Sequence, residues 1–153
     1  MNDWTPEGSV ATMRHLYPAW IKFISQSIKE LEEEGYSVQL QGIFYHVGEN
    51  EMSMHPYRKS AAKWLRATVE QTRLDLQLPD LPWFVSQQPP TDHKNVNGID
   101  VVSDIRALSE SDSAMHHIYI EDFPPQPKRL VLDTAGILHL GKRLAASYLD
   151  VSE

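Results

Sequence analysis

The chain has 153 residues, 41% hydrophobic and 23% charged, and its 14 Lys and Arg against 21 Asp and Glu leave a formal charge of −7. That composition predicts one soluble globular domain over 1–153 and excludes a strongly basic nucleic-acid footprint. No apolar run approaches the roughly 20 residues that cross a bilayer, so neither a membrane span nor a membrane partner is expected. With no Cys there is no disulfide framework, thiolate nucleophile or Cys-based zinc site. The start, Met1-Asn2-Asp3-Trp4, carries neither the basic nor the apolar region of a secretory leader, which leaves a cytoplasmic location as the default expectation.

Residues 1–9 read as an irregular lead-in. From Val10 to Glu34 the pattern is helical, with Leu16, Trp20, Phe23, Ile24, Ile28 and Leu31 recurring at spacings of three and four. Pro18 marks a break or a helix start, and Gly35 reads as the stop. Gln39 to His46 is β-rich and predicts a strand. Pro56 to Leu76 predicts a second long helix, with Tyr57, Ala61, Trp64, Leu65, Thr68, Val69 and Leu76 near one face. After the rigid Pro79-Asp80-Leu81-Pro82, Trp83 to Gln87 predicts a short buried strand. A third helix is expected over Gly98 to Leu108 and a third strand over Met115 to Glu121. Pro124-Pro125-Gln126-Pro127 is a stiff loop, and Asp133-Thr134 can cap a last helix through about Ala146.

The resulting order, α-β-α-β-α-β-α, predicts an α/β fold with a parallel sheet and helices on both faces. Ligands of such sheets sit beyond the carboxyl ends of the strands. Those ends are the loops at 47–55, 88–97 and 122–133, which are rich in Glu, Asn, Asp and His.

The run Gly42-Ile43-Phe44-Tyr45-His46-Val47-Gly48-Glu49-Asn50-Glu51 leads from a strand into a Gly turn bearing a carboxylate and an amide. Asn50 can donate to a developing oxyanion, and Glu49 can accept from a hydroxyl. On spacing alone the alternative stays open that Gly48 makes a turn while Glu49 and Asn50 are solvated or cap the next helix.

This run resembles the SGNH-hydrolase superfamily, specifically the sialate O-acetylesterase-like carbohydrate esterases, where an aromatic strand end leads into Gln-Gly-Glu-Ser-Asp. Downstream, Tyr57, Arg73, Asp75-Leu76, Pro79, Leu81-Pro82 and Gln87 fall where that family carries Tyr, Arg-x-Asp-Leu, Pro-x-Leu-Pro and a strand-end Gln. Thr134-Ala135-Gly136 and Leu140-Gly141-Lys142-Arg143-Leu144-Ala145 resemble its closing helix. The resemblance runs from about residue 20 to 149. It implies a three-layer α/β/α, flavodoxin-like fold and hydrolysis of acetyl esters on sugars by a Ser-His pair. It implies Gly48, Glu49, Asn50 and Gln87 as oxyanion or substrate-binding residues, acetylated carbohydrate as partner, and no cofactor.

The chain departs from that pattern in three places. No Gly-Asp-Ser or Gly-Gln-Ser-Asn turn follows a strand, so the nucleophile block is expected to be missing, through truncation, a misplaced start or a split gene. Lys128 and Val131 stand at the family's Asp-x-x-His, leaving Asp133 and His139 as substitute catalytic candidates with a spacing of six. Val47 stands for the motif's Gln, and Asn50-Glu51 for its Ser-Asp. The chain alone is therefore expected to be inactive, an incomplete or degenerate esterase. The alternative is a non-catalytic carbohydrate- or protein-binding module. A third possibility rebuilds a dyad from His139 or His46 and a serine elsewhere.

His46, Glu49 and His55, joined by Asp92-His93, could converge at one strand end, but a zinc site needs three or four fixed ligands and no metal is expected. Alternation predicts that His116 and His117 point to opposite faces, one inward and one outward. Trp20, Trp64 and Trp83 read as core. If two strands of a five-stranded sheet are absent, residues 39–46 form an exposed edge, which predicts a homodimer or a partner chain paired there.

Overall fold

The computed structural model describes residues 2–9, 13–48, 51, 55–87, 99–118 and 132–152. A short 3-10 helix (Asn2–Trp4) precedes α1 (Tyr17–Glu33). Then follow β1 (Ile43–Val47), α2 (His55–Asp75), β2 (Trp83–Gln87), α3 (Ile99–Glu110), β3 (Met115–Ile118) and α4 (Thr134–Ser152). This is the expected alternation. The lead-in holds a 3-10 turn, the last helix runs on to Ser152, and the first strand begins at Ile43 instead of Gln39.

Two compact units divide these elements: Met1–Gly42 with Lys63–Leu81, and Ile43–Ala62 with Pro82–Glu153. In the first, α1 begins at Tyr17 because Pro18 suits a first helical turn, where no N–H is required. It ends at Gly35, whose φ of +91° suits a residue without Cβ. There the Gly35 N–H donates to the Glu32 carbonyl and the Tyr36 N–H to the Leu31 carbonyl. The same paired closure ends α2, where Gln77 takes the left-handed position at φ +57°. The Tyr17 hydroxyl donates to Asp75 at 2.7 Å, and Gln71 donates to the other Asp75 oxygen at 2.7 Å. The apolar stripe expected on α1 is only partly covered. Tyr17 is buried, Trp20, Ile24 and Ile28 are half-buried, and Leu16, Phe23 and Leu31 are exposed.

In the second unit the strands form a parallel sheet of order β1-β2-β3 among the described residues. Parallel neighbours require long crossovers, which α2 and α3 supply. All five residues of β2 are buried, as befits a strand paired on both sides. Phe84 and Ile118 form a core on which Leu144 and Tyr148 of α4 pack. Phe84 also stacks on Phe44 and on His116, with centroids 5.1 Å apart in each case. Val101, Ile105 and Leu108 of α3 are buried, and α3 packs on β3. The fold is α/β with a parallel sheet flanked by helices, as expected of a three-layer α/β/α class. Trp83 is fully buried, whereas Trp20 and Trp64 are half-buried.

Replacing Phe84 by Ala should cost about 3–5 kcal/mol, the range for a buried aromatic truncated in a packed core. Phe44→Ala, at a half-exposed ring, should cost less. Urea denaturation of the two variants measures the difference.

Candidate functional site

Strand register decides what meets at the carboxyl edge. Phe44 pairs with Phe84 and His116, and His46 with Ser86 and Ile118 across the sheet, so these side chains share one face. Tyr45, Val47, Trp83, Val85, Gln87, Met115 and His117 share the other. The ring contacts agree, with Phe84 against Tyr148 on the first face and Tyr45 against Trp83 on the second.

Each face carries one polar pair at the strand ends. On the first, His46 Nδ1 lies 2.9 Å from Ser86 Oγ, with Ser86 fully buried and His46 exposed. On the second, His117 Nε2 lies 2.6 Å from Gln87 Oε1, and Gln87 is 1% exposed. An amide oxygen only accepts, so His117 Nε2 carries the proton and donates. Burial first, and then the Arg106 guanidinium, together push the His117 pKa down to about 4. His117 is therefore a neutral donor that fixes the Gln87 side chain. Burial also lowers the His116 pKa, against an opposing pull from Asp112. The two histidines do face opposite sides of the sheet, but both are half-buried, one stacked on Phe84 and the other bonded to Gln87.

Beyond β1, Gly48 follows the strand and Glu51 is 6% exposed. The Tyr45 hydroxyl is held above the usual phenol range, first by burial and then by the Glu51 carboxylate. Glu49, Asn50, Asp92, His93, Lys128 and Val131 lie outside the described residues, as does the His55 side chain. Among the described residues no three His, Asp or Glu side chains come close enough to hold a metal ion. Asp133 Oδ1 accepts from the Gly136 N–H at 2.8 Å, which is the expected cap of the last helix. His139 follows it on α4, half-buried and roughly 120° around the helix axis.

Sequence reasoning missed Ser86 and His117 as members of this edge and weighed His46 only as a metal ligand or a rebuilt dyad. The usable signal was the alignment of two parallel strands, which sets position 46 opposite 86. In the first unit, an open groove of about 420 Å³ is lined by Pro6, Tyr17, Pro18, Ile21, Lys22, Gln71 and Asp75. Its carboxylate is already engaged by Tyr17 and Gln71.

A family model described as a carbohydrate esterase, sialic acid-specific acetylesterase, matches residues 1–150. The chain belongs to this family. No curated protein matches it. A crystal structure of an Arabidopsis thaliana protein is similar in fold, with a TM-score of 0.68 and 21% identity over 90% of this chain and 53% of that one. The acetylesterase-family chain thus spans about half the length of that plant protein. The family match extends further toward the N-terminus than the resemblance legible from motifs alone. No helix among the described residues is long and apolar enough to cross a membrane.

Two outcomes test these assignments. Between pH 6.5 and about 4 the unfolded chain binds a proton at position 117 that the folded chain does not. Stability should therefore be full above that window and fall through it on acidification, with His116 adding in the same direction. Denaturation midpoints across this range should fall less steeply for His117→Gln than for the wild type. For the cap, Asp133→Ala should lose about 1 kcal/mol, and Asp133→Asn, itself a good cap, only a few tenths. A large loss in the Asn variant would argue for a carboxylate role beyond capping.

Proposed function

We propose that the chain hydrolyses acetyl esters on carbohydrate hydroxyls at the carboxyl edge of its sheet, in place of the inactivity expected from its missing serine turn. The observation that carries this reading is the acetylesterase family match along residues 1–150. The strand ends supply chemistry in keeping with it. Ester hydrolysis needs a group that takes a proton from the attacking oxygen and donors for the oxyanion that forms. His46 is an exposed imidazole at that edge, and Gly48, Glu49, Asn50 and Gln87 are the substrate and oxyanion contacts this reading assigns. An SGNH-type serine turn does not occur within 1–153, so no acyl-serine intermediate on such a turn is assigned. The Asp133 carboxylate caps a helix, which makes it and His139 the weaker catalytic candidates.

That capping role also favours a second reading, a module that binds acetylated carbohydrate or another protein without hydrolysing it. In either reading β1 ends the described sheet with Phe44 half-exposed, and we propose that a second copy or a separate chain pairs on that edge. Sedimentation that finds only monomer at high concentration counts against that placement.

Turnover of an aryl acetate and of acetylated sugars, with intact mass after a fluorophosphonate probe, separates the readings. Hydrolysis above the buffer rate without a serine adduct is expected. Saturable binding of an acetylated sugar with no hydrolysis favours the binding module. A stoichiometric adduct would show an activated serine and replace the site assigned above.

A further inference from the structure

We infer that the exposed flank of α4 is a contact between two copies of this chain, helix against antiparallel helix about a two-fold axis at Ala145. The helix carries two apolar stripes. Leu144 and Tyr148 pack on the Phe84 and Ile118 core, with Leu140 buried one turn before them. Leu138, Gly141, Ala145 and Leu149 form the second stripe, about 100° around the axis from the first. All four are exposed, Leu138 at 63% and Leu149 at 59%. Ile137, at 58%, continues this stripe toward the start of the helix. At its other end Tyr148 borders it and meets the half-exposed Phe44 ring, with centroids 6.2 Å apart. A surface helix presents one apolar stripe to its core, so the second calls for a cover of its own.

The stripe is complementary to itself. Gly141 and Leu149 stand two turns apart with Ala145 midway, so a two-fold axis at Ala145 sets Leu149 of each copy on Gly141 of the other. A Cβ added at Gly141 would meet nothing within 4 Å, so nothing inside the chain requires a glycine there. Glycine weakens a helix interior, and its use here is the gap it leaves for a large side chain. Charge allows the contact. No charged side chain lies within the stripe, and Lys142 at its border is opposite in sign to the net −7 of the copy it meets. Area allows it too. Each large side chain of the stripe leaves on the order of 100 Å² to water. Two stripes with the surface between these side chains bury about 1,000 Å², the lower bound for a specific interface. The antiparallel arrangement also sets the start of each helix beside the end of the other, as helix dipoles favour.

Sedimentation velocity of the full chain over a concentration series is the test. The wild type should interconvert between monomer and dimer. Gly141→Leu fills the gap and should raise the dissociation constant by about tenfold or more, while the thermal midpoint of the dilute monomer stays level or rises. Leu149→Ala removes the knob and should weaken the dimer by a similar factor. The double variant, Gly141→Leu with Leu149→Ala, exchanges knob and gap across the same axis and should return the dissociation constant to within a few-fold of the wild type. That rescue belongs to a contact with a second copy and not to a helix merely damaged at its surface. A wild type that stays monomeric at the highest concentration overturns the proposal and leaves the flank to a different chain. A dimer that neither single variant weakens places the contact elsewhere, the β1 edge included, and overturns it as well. Weakening by both single variants without rescue by the double overturns the two-fold axis at Ala145. None of these outcomes depends on whether the chain hydrolyses an ester.

Discussion

The pairing of β1 with β2 is the constraint on which the carboxyl edge depends. Side chains alternate along a strand, so sliding β1 by one residue would exchange its two faces. His46 would leave Ser86, and Phe44 would leave the stack it shares with Phe84 and Tyr148. The aromatic contacts one step down the strands thus hold the polar contact at their ends. The hydrophobic term sets the register, and the hydrogen bond inherits it.

Strand β2 carries the cost of this arrangement. It is buried along its whole length, and its last two residues are polar. Each would lose on the order of 1–3 kcal/mol if enclosed without a partner. Ser86 is met from β1 and Gln87 from β3, each by a histidine on the neighbouring strand. A purely apolar β2 would pack as well and leave nothing at the strand ends to meet a ligand. Polar groups here are kept by specific cross-strand partners, which is how a buried strand can present chemistry at its end without destabilising the sheet.

Much of the fold was legible because it follows local rules. The α1 stop at Gly35, the α2 limits, the bounds of β2 and the Asp133 cap are each written within a few residues. The pairs 46–86 and 87–117 are separated by 40 and 30 residues, and no local pattern announces them. The α1 stripe misled for a related reason. Periodicity reports which face is apolar, but not whether a neighbour covers it, and Phe23 remains exposed. Gly48 and Gln87 could be named from motif resemblance, while the geometry of Gln87 needed β3.

The two imidazoles show how one residue type takes opposite tasks from its surroundings. His117 is hemmed in by burial and by Arg106, which disfavour its charged form, so it stays a neutral donor bound to Gln87. Its proton sits on Nε2 because the amide oxygen demands one there. His46 bonds through the other ring nitrogen, to a hydroxyl that can accept, and its ring stands exposed on a terminal strand. Its ring is exposed where that of His117 is half-buried. A neutral donor that orients an amide and an exposed ring bonded to a buried hydroxyl are different requirements. The sheet meets both by placing one histidine inside its second face and the other at the rim of its first.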